Sequence, residues 1–285
     1  MRNPRQSAYR AIALTDLDGT LLDSQHRLSP RNRSALQTLG RMGVLRVVAT
    51  GRSPYSAYKV IDADFPIDYL ACSSGAAVIR WPDAELVHSV DLPGARALQV
   101  AEHLVSLSLD FMLHRAVPDN HRFWFHRAGP HNPDFEARLA RYSAHAECWS
   151  EGARATHRFS QLLAVEPASR PSRLRHLREH LEDLHVILAT SPLDGESRWL
   201  EVFPGEVSKA AAGCWLQGQH DIDLRHCMVI GNDYNDEAML EWGVSPYVVA
   251  NAPPALTARY PVVASNDDGG FADAVFDWLR REGLD

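Results

Sequence analysis

Residues 9–15 are apolar at nearly every position, and the run stops on Asp16-Leu17-Asp18-Gly19-Thr20. A segment that is apolar on both alternating faces predicts a strand covered on both sides, as in a parallel sheet flanked by helices. Ser29-Pro30 then supplies a helix start, an N-cap followed by proline at the first helical position. Ala35, Leu36, Leu39 and Met42 give that helix an apolar stripe, and Gly43 can end it. The next apolar run, 44–49, ends on Thr50-Gly51-Arg52. Strand, helix and strand in this order form a βαβ unit with a right-handed crossover, which commits the chain to an α/β sheet.

Beyond it, the pattern predicts a helix over 54–61, a strand near 69–72 and an apolar extension at 76–79. The rhythm then changes to a helix over 95–106, strands at 111–114 and 123–126, and a helix over 134–145 whose arginines face water. A strand at 158–166, a helix over 172–181 and a strand at 185–189 follow. Such mixed hairpin and helix patterns predict an inserted α+β domain. The parallel-sheet pattern returns with helices over 208–216, 237–242 and 271–279, and strands at 225–230, 247–250 and 262–264. The expected architecture is an α/β Rossmann-like parallel-sheet core, residues 1–82 and 193–285, with an inserted α+β domain over 83–192.

Length and charge narrow the partners. With 285 residues, 45% apolar and 23% charged, the chain can bury a substantial core and reads as soluble and globular. Its formal charge of −7 is spread through the sequence, and the arginines and histidines between His114 and Arg138 are interrupted by aspartates and prolines. Nucleic acid is therefore not expected as a partner, whereas a small anion in a local positive pocket is compatible. No run approaches membrane-spanning length, and residues 1–10 lack the apolar stretch of a signal peptide. Cys72, Cys148, Cys214 and Cys227 form no CxxC pair and are expected as buried free thiols in a reducing compartment. A cytoplasmic protein without membrane partners is the expectation, as a monomer or alternatively a homodimer.

Chemistry concentrates at the strand ends, the edge where open α/β sheets bind ligands. Asp16 and Asp18 stand two apart in an extended segment, so both carboxylates can approach one pocket while Leu17 turns inward. Two such carboxylates repel unless a cation or shared proton compensates them, and Mg²⁺ would resolve the conflict. Asp16 can then attack phosphorus, with Asp18 protonating the departing oxygen and later deprotonating water. Gly19 and Thr20 suit a tight turn that opens backbone N–H groups to phosphate. After the second strand, Thr50 can hydrogen-bond a phosphoryl oxygen, and Gly51 permits close approach beside Arg52. Lys209 opens a helix after Pro204-Gly205-Glu206-Val207-Ser208 and can neutralise both nucleophile and phosphate. Gly231-Asn232-Asp233-Tyr234-Asn235-Asp236 follows another apolar strand with oxygen ligands suited to Mg²⁺.

In this order the motifs resemble the haloacid dehalogenase superfamily, specifically its Cof-like class IIB phosphatases with a C2-type cap. The resemblance rests on residues 16–20, on Thr50 within Val48-Ala49-Thr50-Gly51-Arg52, on Lys209 within Val207-Ser208-Lys209, and on residues 231–236 leading to Met239-Leu240. It implies a hydrolase core with a substrate-selecting cap, Asp16 as nucleophile, and Asp18 as acid/base that also binds Mg²⁺ through its backbone carbonyl. It further implies Thr50 and Lys209 as the phosphate-holding pair and Asp236 as the acidic residue supporting the metal and its waters. The family usually reads Gly-Asp-x-x-Asn-Asp in the last motif, so Asn232 replaces a charged metal ligand by a neutral amide, with Asp233 or Asp236 supplying the missing charge. Ser74, in Cys72-Ser73-Ser74-Gly75-Ala76, stands where many relatives have asparagine, and donates over a shorter reach.

The implied activity is Mg²⁺-dependent hydrolysis of a small phosphorylated metabolite, with sugar phosphates favoured, through an aspartyl-phosphate intermediate. Phosphotransfer to an acceptor alcohol by the same intermediate, and phosphometabolite binding with metal use weakened by Asn232, are the alternatives. His114, Arg115, His121, Arg122, Trp124, His126 and Arg127 are candidate cap contributors, with Trp124 and His126 on one face. The histidines between 120 and 131 match no zinc spacing.

Overall fold

The computed structural model describes residues 9–129, 132–149 and 153–283. Residues 1–8, 284–285 and His131, all invoked above, lie outside the described residues. In chain order, β1 (Ala11–Asp16), α1 (Pro30–Arg41), β2 (Val44–Ala49), α2 (Pro54–Ala57), β3 (Tyr69–Cys72), β4 (Ala77–Arg80) and β5 (Glu85–Ser89) come first. Then follow β6 (Leu92–Pro93), α3 (Gly94–Ser106), β7 (Asp110–Arg115), β8 (Phe123–His126), α4 (Pro133–Arg141) and β9 (Ala146–Cys148). Next are β10 (Arg158–Glu166), α5 (Leu174–His180), β11 (Leu184–Thr190) and β12 (Arg198–Pro204). The order is completed by α6 (Lys209–Gln219), β13 (Cys227–Gly231), α7 (Glu237–Trp242), β14 (Ser245–Val249), α8 (Pro254–Thr257), β15 (Val262–Val263) and α9 (Gly270–Glu282).

The chain divides into two compact units. One comprises Met1–Gly51, Lys59–His88 and Ser208–Asp285, the other Arg52–Tyr58 and Ser89–Val207. The first unit holds an eight-stranded sheet in the order β15-β14-β13-β1-β2-β3-β4-β5. It is parallel from β15 to β3 and turns antiparallel at β4. Every residue of β1 is buried, in keeping with its apolar first four residues, Ala11-Ile12-Ala13-Leu14. Ile12, Leu14, Leu45, Val47 and Val229 pack in one cluster with Leu216 of α6 and Met239 and Leu240 of α7. As expected, the Ser29 hydroxyl caps α1, accepting from the Asn32 N–H.

The second unit is built on a seven-stranded sheet, β11-β12-β10-β7-β8-β9, with β6 pairing β10. Its pairs are antiparallel except for β8 and β9. Ala97, Val100 and Leu104 of α3 and Leu177 of α5 bury against Leu113, Leu162 and Leu200. Phe135 and Leu139 of α4 bury against Met112, Leu163 and Trp199, side chains that alternate to the other face.

The structure departs from the sequence pattern at several places. Residues 193–207, grouped with the core by pattern, carry β12, which pairs with β10 and β11 in the second sheet. Its charged Arg198 and Glu201 hide the strand from an apolar-run reading, although Glu201 is buried and accepts from Gln161 Nε2 (3.4 Å). The polar edge strand β5 is hidden for the same reason. The helix expected over 54–61 ends at Ala57. Arg138 does not face water: its guanidinium lies 4.5 Å over the Trp199 ring. Only Cys72 and Cys227 are buried, while Cys148 and Cys214 are exposed free thiols. No helix among the described residues is long and apolar enough to cross a membrane.

Candidate active site

Three neighbouring parallel strands end level with one another, Asp16 of β1 opposite Ala49 of β2 and Thr15 opposite Ile230 of β13. Residues 16–20, Thr50 and residues 231–236 therefore leave the sheet along one edge, and separated motifs converge through register alone. Asp16 and Thr50 are buried there. The Thr50 N–H donates to the Ala71 carbonyl (2.8 Å), and its own carbonyl accepts from the Ser74 N–H (2.9 Å). Ser74 is buried at φ 56 in the turn after β3. Its hydroxyl lies 3.7 Å from where a Cβ on Gly51 would stand.

Lys209 opens α6, whose N-cap Ser208 accepts from the Ala211 N–H (2.9 Å). Its Nζ donates to Asp16 Oδ1 and to Asp236 Oδ1, each at 2.6 Å. Burial opposes the Lys209 ammonium, but the two carboxylates outweigh it and hold the group above its usual range. Burial is also the largest influence on Asp16, whose carboxyl is pushed up to about 7 against the pull of Lys209. With Asp16 ionised, one buried ammonium shared by two carboxylates leaves net negative charge on this strand end.

The oxygens of Asp236 are directed elsewhere. Oδ1 faces Lys209, while Oδ2 accepts from the N–H groups of Asn232 (2.8 Å) and Asp233 (3.1 Å). This carboxyl folds back over Gly231, where a Cβ would stand 2.5 Å from it, so the glycine is required by close approach. Asp233 Oδ1 accepts from the Tyr234 N–H (2.8 Å), and Asp233 and Asp236 together form a capping box.

Between Asp16 and this loop lies the side-chain amide of Asn232. One of its terminal atoms is 3.1 Å from Thr20 Oγ1 and 3.2 Å from both Asp18 O and Asp16 Oδ2. Hydrogen bonding alone favours nitrogen at that position, its two hydrogens shared among the three acceptors. A divalent cation among the same atoms favours oxygen. Around octahedral Mg²⁺, with bonds of about 2.0–2.1 Å, adjacent ligand oxygens stand roughly 3 Å apart. The two separations of 3.2 Å match that spacing, so an oxygen-inward Asn232 fits as a ligand adjacent to Asp16 Oδ2 and to Asp18 O in such a site. Among the described residues no three His, Cys, Asp or Glu side chains gather into a metal-holding group. The donor set consequently leans on a carbonyl and an amide.

The wide turn Leu17–Leu21 exposes that carbonyl because Asp18 is extended (φ −82°, ψ 125°) and Gly19 left-handed (φ 72°). Two contributors to the turn escape sequence reading. Asn251, just after β14 at the same sheet edge, donates to the Gly19 carbonyl (2.8 Å). His26 Nδ1 lies 3.1 Å from Asp18 Oδ1. Position after a strand is a signal for Asn251; nothing local marks His26.

The remaining expected residues lie in the second unit. Arg52 Nη1 donates to the Ser56 carbonyl (3.3 Å) in α2. His114 is buried, its Nδ1 2.7 Å from the Asn120 carbonyl, and Trp124 joins the core under α3. Arg115 and Arg127 pair with Glu147 and Glu136. His121 stacks on Tyr55, their ring centroids 4.4 Å apart.

The pattern of the haloacid dehalogenase-like hydrolase family matches residues 13–275. The chain is 26% identical over 279 residues to phosphatase YwpJ of Bacillus subtilis strain 168, covering 90% of this chain and 95% of that protein. It is 28% identical over 251 residues to the HMP-PP phosphatase of Klebsiella pneumoniae strain 342, covering 88% of each. A solved subclass IIB sugar phosphatase aligns with a TM-score of 0.72 at 17% identity, over 96% of this chain and all of that one, a likeness of fold.

Proposed function

This chain belongs to the haloacid dehalogenase-like hydrolases and is a phosphoric monoester hydrolase, and from that premise we propose that it cleaves a small sugar phosphate by way of a phosphorylated Asp16. The observation that carries the assignment is the Lys209 ammonium held 2.6 Å from both Asp16 and Asp236 inside the protein. An ion of that kind keeps a buried carboxylate available for attack and offsets the charge a phosphoryl group brings.

In the first step an Asp16 oxygen bonds to phosphorus as the bond from phosphorus to the leaving oxygen breaks, and Asp18 delivers its proton to that oxygen. In the second, Asp18 takes a proton from water as the water oxygen bonds to phosphorus. The bond between phosphorus and Asp16 breaks, releasing inorganic phosphate and restoring both carboxyls. Thr50, with the backbone at Gly51, orients the phosphoryl oxygens, and Ser74 contributes a short-reach donor. Asp16 Oδ2, Asp18 O and Asn232 would hold Mg²⁺, with Asp233 and Asp236 bracing the loop. When bound, that ion supplies positive charge to the phosphoryl oxygens. Arg52 is assigned to substrate through its place after Gly51. The protein is read as cytoplasmic and acting without a macromolecular partner.

Phosphate release from a panel of sugar phosphates, other phosphomonoesters and HMP-PP, with Mg²⁺ present, tests the reaction and ranks the substrate classes. No release from any of them by the folded protein, with a working control phosphatase, would sink the proposal. Transfer would instead produce an acceptor phosphate in place of inorganic phosphate.

Asn232→Asp is expected to tighten Mg²⁺ binding about tenfold or more, since a carboxylate adds the charge an amide lacks. The same change places a second carboxylate beside that of Asp16, next to the Asp18 carbonyl, so the melting temperature should fall in chelator and recover with Mg²⁺. Calorimetry and thermal denaturation read both effects, and an unchanged affinity removes Asn232 from the ligand set. In the unsubstituted protein, Mg²⁺ affinity should weaken as pH drops below about 7, because burial raises the Asp16 carboxyl and the cation must displace its proton.

A further inference from the structure

We infer that His26 is a positioning residue for the carboxyl of Asp18, an inference that rests on reading Asp18 as the acid/base. His26 Nδ1 lies 3.1 Å from Asp18 Oδ1, and whenever Asp18 is ionised it can only accept, so the imidazole then donates from Nδ1. His26 reaches this place at φ 58, in the left-handed region that costs a residue with a Cβ.

The surrounding loop fixes that conformation from several sides. Asp23 Oδ1 accepts from the N–H groups of Gln25 and Arg27 (both 2.9 Å). The His26 N–H donates to the Asp23 carbonyl (2.8 Å). The tip is tied to a segment distant in sequence, where Ser24 donates to Asp267 through both its N–H (2.7 Å) and its hydroxyl (2.5 Å). Leu22 and Leu28 form an isolated bridge across the base. A loop secured at base and tip, with its one strained residue aimed at Asp18, is an arrangement for aiming an imidazole.

The contact matters to rate more than to folding. The side chains of His26 and Asp18 are 56% and 35% exposed, so their pairing contributes little to stability. A partly exposed aspartate nevertheless has several rotamers open to it, and a donor at 3.1 Å favours one of them. Proton delivery to a leaving oxygen depends on that selection.

Two substitutions separate orientation from folding. His26→Gly removes the ring and also the left-handed penalty, so its melting temperature should equal or exceed that of the unsubstituted protein. Its kcat for the best panel substrate should nonetheless fall about three- to tenfold, with KM changed less than about twofold. His26→Asn tolerates the left-handed region and keeps a side-chain N–H donor, and it should recover most of the lost kcat. Unchanged kcat in His26→Gly, or His26→Asn as slow as His26→Gly, overturns the inference. The contact is also read without turnover, from the ¹⁵N resonances of the His26 ring at fixed pH. They should move in Asp18→Asn, and unmoved resonances overturn the inference as well. Absence of turnover across the whole panel counts instead against the hydrolase reading, because the ring resonances judge the contact on their own.

Discussion

Lys209→Met is expected to abolish measurable phosphate release and to destabilise the protein by about 3–5 kcal/mol, the range for removing one partner of a buried ion cluster. Methionine fills similar volume, so lost packing is a minor part. The larger part is electrostatic: Asp16 and Asp236 are buried, and both depend on the same ammonium, 2.6 Å from each. The loss should also depend on pH in a set direction. Burial already pushes the Asp16 carboxyl up to about 7 against the attraction of Lys209, and without that attraction it rises further. A carboxyl whose folded pKa lies above its unfolded value retains stability where it is protonated and loses it as pH rises through the folded pKa. The variant should therefore be damaged more at pH 8 than at pH 5.5, as read by denaturant unfolding at both. Turnover close to that of the unsubstituted enzyme would remove Lys209 from the mechanism.

Asp16→Asn should lower kcat by at least about a thousandfold and leave the fold in place, since an amide cannot become an acyl phosphate under attack on phosphorus. The physical contrast with Lys209→Met is the point of the pair. Asparagine removes a charge that burial disfavours, and Lys209 keeps its 2.6 Å bond to Asp236. The melting temperature should stay within a few degrees, and circular dichroism should be unchanged. Mass spectrometry of the rapidly quenched enzyme should find phosphate on the Asp16 peptide of the unsubstituted chain and none in the variant. Residual turnover above a few per cent would take the nucleophile role away from Asp16.

The first unit was largely legible because strands buried on both faces announce themselves. The apolar stretches around β1, β2 and β13 each stop on a polar motif, and a parallel sheet leaves such motifs little choice of edge. The second unit was less legible. β12 carries Arg198 and a buried Glu201, and β5 is an exposed polar edge, so neither shows the periodicity by which strands are recognised. Arg138 illustrates the same limit: as an arginine on a helix it reads as a solvent residue, yet it covers Trp199, a partner far away in sequence.

At the site, residue identity determined the chemical inventory: paired carboxylates at a strand end, a threonine, a lysine and an oxygen-rich loop, in an order that marks the family. Tertiary structure decided the division of labour among them. Asp233 and Asp236 have the same side chain as Asp16, but backbone N–H groups engage them in a capping box, and Lys209 takes the remaining oxygen of Asp236. Asn232 came to face Asp16 and Asp18, and a histidine from a left-handed loop came to meet Asp18. Sequence specifies which groups a chain carries and the local conformations they favour. Which lone pair faces which donor depends on contacts between segments far apart in sequence, such as Thr20 and Asn232, 212 residues apart, and Gly19 and Asn251, 232 apart, and those exist only once the sheet has aligned its strand ends.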